Sequence, residues 1–263
     1  MEVLGIDIGG SGMKGALVDS ITGKLTTKRF RIKTPKSRHP ETMAQVFKQI
    51  VEHFNYNGPI GCGFPTVINH GVCRSSSNLH DEWENLNVKE LFSNACGLPV
   101  TVINDADAAG YAVMNYGIGK GKPGLVLMVT IGTGLGSGAF LDGELIPNFE
   151  LGQIPYKGFK KIETWASAAA KKREKLSYKK WGKRFNKFLE LVELIVCPDI
   201  IYLGGGTSDD FDQYKDYITI ETPVFPAHLG NHAGIIGAAA AALHPAEHHA
   251  RRPEYPSACR KGP

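Results

Sequence analysis

The sequence predicts an α/β fold of two like domains facing a central cleft, and three observations predict it. Residues 7–19, DIGGSGMKGALVD, recur without a gap as TIGTGLGSGAFLD at 130–142, an offset of 123 positions. Each copy follows an apolar run, 3–8 or 125–131, so each reads as strand, glycine turn, strand. Around both copies, short apolar runs alternate with helix-period segments, the pattern of an α/β arrangement.

Taken in order, the first hairpin covers 3–19, a helix 42–54, a strand 60–64, a helix 88–96 and a strand 100–103. Asn104, Asp105 and Asp107 then open a helix running to about 115, which ends in a glycine-rich loop at 117–124. The second half repeats the theme: a hairpin at 125–146, helices at 160–175 and 178–196, and a strand at 200–203. The expected domains are a small one at 1–104 and a large one at 105–231. A small-residue helix at 232–245 is expected to pack back onto the small domain, and 246–263 reads as a disordered tail.

Composition narrows the class. Over 263 residues, 42% hydrophobic and 21% charged content is ordinary for a globular protein, and no apolar run is long enough to span a bilayer. No signal peptide is read at the N-terminus, and the cysteines form no CxxC pair or cysteine–histidine cluster. A cytoplasmic location without a membrane partner is therefore expected. The net charge of +4 is unevenly placed, with twelve Lys or Arg between 157 and 187 against Glu163 and Glu174. A solvated helix face is the ordinary reading of such a run; a polyanion partner is the other.

A glycine turn between strands exposes consecutive backbone N–H groups, and two of them suggest a phosphate chain gripped from both sides. In the first copy Asp7 lies beside Gly9, Gly10, Ser11, Gly12 and Lys14. It could hold Mg²⁺ directly or through water while the amides and Lys14 face phosphate oxygens, or it could simply cap the turn. The second copy has Thr130 in place of the acid, leaving Thr133 and Gly134 as a neutral cradle. In VTVINDADAA, a strand delivers Asn104 and Asp105 to a helix N-terminus. Capping is one role for an acid there; a general base for an attacking hydroxyl is another.

DIGGSGMKG, GFPTVI, NL at 78–79, VINDADAAG, TIGTGLGSG, FELGQ, IETWAS and LGGG occur in an order that resembles the ROK sugar kinases, within the actin and hexokinase-like (ribonuclease H-like) superfamily. The resemblance covers about 3–243. Within the family, the short length, the GFPTVI segment and the lysine-rich region are most similar to polyphosphate/ATP glucokinases and glucomannokinases. It implies that Asp105 takes the proton from a sugar 6-hydroxyl, and that Asn78, Asn104, Glu150, Gln153 and Glu163 contact the sugar. Gln153 stands where the family usually has His, and the family's cysteine-rich zinc motif is missing. No zinc is therefore expected, and sugar selectivity is expected to extend from glucose to mannose.

Gly204, Gly205 and Gly206 follow a strand, as the adenosine-side loop does in relatives that use ATP. Lys171, Lys172 and Arg173 are candidates for a polyphosphate tract, whose repeating charge a row of cations would bind with counterion release. A kinase for an N-acetylated or epimeric hexose and a sugar-sensing regulator are the competing readings; nucleic acid is not an expected partner. Monomer and homodimer both remain open.

Overall fold

The structure, a computed structural model, describes residues 1–76 and 79–243. The first hairpin is β1 (Glu2–Gly9) with β2 (Gly12–Asp19), in a register that sets Asp7 opposite Lys14. β3 (Phe30–Ile32), α1 (Pro40–His53), β4 (Ile60–Phe64), a ribbon of β5 (Ile68–Asn69) and β6 (Val72–Cys73), α2 (Val88–Cys96) and β7 (Val100–Asn104) follow. After α3 (Asp105–Tyr116) come β8 (Leu125–Ile131), β9 (Leu135–Leu141) and β10 (Glu144–Ile146). The remaining elements are α4 (Glu163–Ala166), α5 (Ala168–Arg173), α6 (Tyr178–Val196), β11 (Ile200–Gly204), β12 (Val224–Pro226) and α7 (Ala233–Leu243).

The two five-stranded sheets have the same order, β3-β2-β1-β4-β7 and β10-β9-β8-β11-β12, with β8 taking the place of β1 and β9 that of β2. The repeat seen in two glycine hairpins thus extends to whole sheets. In each, the central strand pairs antiparallel with its hairpin partner and parallel with the strand beyond, so its end meets the end of that neighbour at one edge of the sheet.

β1 is a near-continuous apolar run because helices cover both faces of its sheet. Alternation sends Leu4, Ile6 and Ile8 into a core with Phe47 of α1 and Phe92 of α2, while Val3 meets Ile235 and Ala239 of α7. The second sheet is backed by α6, whose buried Trp181, Phe185, Leu189 and Val192 recur at helical spacing and leave Lys179, Lys180 and Lys183 on the exposed face. The small residues of α7 have a packing cause. A Cβ at Gly61 would lie 1.7 Å from the carbonyl oxygen of Ala238, and one at Gly237 would lie 1.6 Å from that of Ala108. α7 therefore rests backbone to backbone on β4 and on α3.

One expected helix divides. The 160–175 segment forms α4 and α5, separated at Ser167, whose extended backbone (ψ 168°) lets its Oγ accept from Ala170 N and start a new helix. α1 begins at Pro40, a residue preorganised for a first helical turn, rather than at 42. No described helix is long and apolar enough to cross a membrane. The expected tail at 246–263 and the last two residues of the 232–245 helix lie outside the described residues.

Candidate active site

β7 and α3 meet at Asn104, which is buried and serves as the N-cap of α3. Its Oδ1 accepts from Ala106 N at 2.7 Å and Asp107 N at 3.3 Å. Both protons of its amide group are directed elsewhere, to Thr66 O at 3.1 Å and to Glu150 Oε1 at 3.2 Å. The side chain expected to orient a sugar thus joins α3, the segment after β4 and the segment after β10.

Asp105 occupies the first position of α3. Burial, then the charges of Asp7 and Glu150, push its carboxyl up to about 7, against the favourable pull of its own and Ala106's backbone N–H groups. Glu150 is itself raised, chiefly by burial and next by Glu163, with Lys161 opposing. Four acids from distant stretches, Asp7, Asp105, Glu150 and Glu163, are therefore close enough to act on one another in a chain.

Asp7 is mostly buried and pairs with Lys14 Nζ at 3.0 Å, directly across the hairpin register. Gly234, in the first turn of α7, lies against its carboxylate: a Cβ there would sit 3.0 Å from Cγ. The turn linking β1 to β2 is held from outside. Arg31 Nη2 donates to Ser11 O and Thr34 Oγ1 to Gly9 O, each at 2.6 Å.

The second turn meets the sugar-side acid directly. Glu163 Oε2 accepts from Leu135 N at 3.2 Å, and a Cβ at Gly134 would fall 2.2 Å from that same oxygen, so a side chain there would push the Glu163 carboxylate off this bond. Gln153 Nε2 donates to Glu163 Oε1 at 3.1 Å, fixing the other oxygen. Gly132 accepts on its carbonyl from Ala169 N of α5, which ties the turn to the start of that helix. Gly204, at the end of β11, pairs with Thr130; Gly205, at φ 80°, passes so close under Ile131 that a Cβ would lie 2.5 Å from its carbonyl oxygen. The 204–206 segment therefore adjoins the second hairpin.

The Lys171–Arg173 tract is less available than its sequence suggests. Lys171 Nζ stands 3.6 Å over the Tyr178 ring, and Arg173 is held by Thr164 O at 2.7 Å and Glu174 Oε1 at 3.0 Å, leaving Lys172 exposed. Asn78 lies outside the described residues.

Three contributors were not read as site residues in the sequence, Asp107 being read only as opening a helix. Asp107 is buried, pushed up to about 8 chiefly by burial, with Oδ2 accepting from Asn148 N and Oδ1 without a partner among the described residues. Asn148 bonds Ile68 on both sides, accepting from its N–H at 3.0 Å and donating to its carbonyl at 2.8 Å. Thr66 supplies the carbonyl that Asn104 uses. Asp107 lies within the VTVINDADAA motif, two positions after Asp105, and had a signal; Asn148, in a polar turn after Pro147, had none.

Known proteins resemble this chain over nearly its whole length. The chain is 40% identical over 240 residues to a polyphosphate glucokinase of Mycobacterium tuberculosis, covering 91% of this chain and 90% of that one. The crystal structure of an inorganic polyphosphate/ATP-glucomannokinase from Arthrobacter sp. strain KM superposes with a TM-score of 0.87 at 40% identity, covering 92% of this chain and 98% of that one. A ROK family glucokinase from Streptomyces griseus, solved with glucose and AMPPNP, shares the fold at a TM-score of 0.79 and 21% identity over 91% of this chain and 98% of its own. The model of the ROK family matches residues 3–149, and with these relatives it makes the assignment plain: the chain belongs to the ROK family of the actin and hexokinase-like fold.

Proposed function

We propose that this protein is a hexose kinase that moves a terminal phosphoryl group from polyphosphate or ATP to the 6-hydroxyl of glucose. The observation that carries the reading is the placement of Asn104, Asp105, Glu150 and Glu163 together, between two glycine turns that belong to two like sheets. The 40% identity to a polyphosphate glucokinase over nearly the whole chain supports the reaction class.

In this reading Asp105, when ionised, accepts the proton of the 6-hydroxyl as that oxygen attacks phosphorus in line. Glu150, oriented by the Asn104 amide, holds a neighbouring hydroxyl, and Glu163, steadied by Gln153 and Leu135 N, holds others. The backbone amides of the turns at 9–12 and 132–134 and the ammonium of Lys14 take the charge of the donor phosphates. The hard carboxylate of Asp7 would hold Mg²⁺, directly or through water. The mutual repulsion of Asp7 and Asp105 is what such a cation would relieve. Bound there, the ion would neutralise charge on the donor.

Gln153 replaces a titratable ring by an amide that both donates and accepts. Turnover of mannose beside glucose is proposed on that basis, with Gln153→His expected to shift the ratio of kcat/KM between the two sugars.

The test is a matrix of donors, polyphosphate and ATP, against glucose, mannose and their N-acetyl derivatives. Glucose turnover with both donors is expected, and polyphosphate-dependent activity should fall more steeply with salt than ATP-dependent activity. Turnover of N-acetylated sugars only, or of none, would overturn the reading.

A further inference from the structure

Between Asp19 and Glu41 the chain contains no acid, yet Lys28, Arg29, Arg31, Lys33, Lys36 and Arg38 fall within it. This is the second dense basic run of the molecule, and unlike the run at 157–187 it leads from the first glycine turn. β3 is the edge strand next to β2, and its alternation turns Phe30 and Ile32 inward while Arg29, Arg31 and Lys33 are exposed. Successive outward cations on a strand stand about 7 Å apart. Arg31 bonds Ser11 of the turn, Thr34 bonds Gly9, and beyond Thr34 the chain lines a cavity of about 520 Å³ that opens at Gly10.

Lys36, Ser37 and Arg38 line that cavity together with His80 and Asp81. Asp81 is its one acidic lining residue, and the neighbouring Glu82 carboxylate is engaged by His39 Nε2 at 2.7 Å. Among the described residues, Lys28, Arg29, Lys33 and Lys36 form no ion pair and no side-chain hydrogen bond. In the other basic run, Lys161, Arg173, Arg184 and Lys187 each pair with a glutamate, and Lys171 covers a ring. Exposed cations without partners, beside a turn that grips phosphate, cost free energy through mutual repulsion unless an anion shares them.

We infer that the cavity lined by Gly10 and Lys36, with the exposed Lys33 beside its lining residue Thr34 in the chain, binds the inner residues of a long polyphosphate chain whose reacting end lies at the glycine turns. This inference rests on the donor assignment proposed above. A long chain engages these cations along many of its residues and a short one along few, so the site discriminates by length of anion.

The experiment measures KM for long-chain polyphosphate, tripolyphosphate and ATP in the wild type, in Lys33→Ala/Lys36→Ala and in Lys171→Ala/Lys172→Ala/Arg173→Ala, with Lys33→Arg/Lys36→Arg as the charge-preserving control. The first variant should raise KM for long chains about tenfold and lower the slope of log KM against log salt by about two, one for each cation removed. KM for tripolyphosphate and ATP should stay within about twofold, and the arginine control should restore the long-chain value. Equal losses on all donors, or a long-chain loss confined to the 171–173 variant, would overturn the inference. Absence of polyphosphate turnover by the wild type at any length would instead overturn the donor assignment.

Discussion

Asn104 Nδ2 donates to Glu150 Oε1 at 3.2 Å while its Oδ1 caps α3, so one amide links the last residue of the first sheet to the loop that follows the second hairpin. Its two ends can be separated by mutation. Asn104→Asp keeps an acceptor for the cap but loses both donated bonds and sets a carboxylate beside Glu150. Calorimetry with glucose should show binding weakened about tenfold, the loss expected of a charge-assisted hydrogen bond. Asn104→Ala also removes the cap and orphans the carbonyl of Thr66, and should cost about 2–3 kcal/mol in denaturant unfolding.

Asp105→Asn should abolish transfer, lowering kcat by about a thousandfold, while glucose binding measured by calorimetry stays within a few-fold. The same change should stabilise the fold. The carboxyl's folded value of about 7 exceeds its reference of 3.8, so the folded state holds the proton more tightly than the unfolded one. Its stabilising contribution is full below 3.8 and is lost as pH climbs through about 7. The asparagine variant escapes that loss, and above neutrality it should unfold later than wild type by roughly 2 kcal/mol. An unchanged or lowered unfolding midpoint would contradict the electrostatic account.

The pH dependence of turnover has the opposite sense. A base must be ionised to accept a proton, so kcat/KM for glucose should rise with pH along a limb centred near 7. Asp7 contributes to that elevation, and Asp7→Asn should move the limb to lower pH while reducing the maximum rate. Profiles of the two proteins that share one midpoint would dissociate Asp7 from Asp105.

Gly237→Ala places a methyl group where the carbonyl oxygen of Ala108 already stands at 1.6 Å. Neither helix can yield without disturbing the other, and a loss of about 3 kcal/mol or more is expected, measured by chemical denaturation. Ala240→Gly, in the same helix and equally buried, introduces no clash and should cost only about 1 kcal/mol.

The central hairpins, β4, α2 and α6 were legible because their signals are local: glycine between apolar runs, a capping Asn87 and a closing Gly97, the helical spacing of Trp181, Phe185 and Leu189. β3 and β12 were not, since three residues carry no measurable period and each strand owes its existence to the neighbour it pairs with. The break at Ser167 was hidden for a related reason. AAAKKR favours helix on either side, and only the hydroxyl's bond to Ala170 N marks a new start. Within the site, Asp105 and Asn104 stand out where a strand ends in acids, whereas Asn148 works through Ile68, eighty positions away, and no local pattern announces it.

The seat of α7 carries a consequence for biosynthesis. A ribosome releases β1 and β4 well over a hundred residues before it makes residues 233–243, so the sheet made first waits for a cover made much later. Until then a backbone-lined trough beside Gly61 is open to water or to the wrong helix. The sheet that carries Asp7 can take its final form only after residues 233–243 have been made.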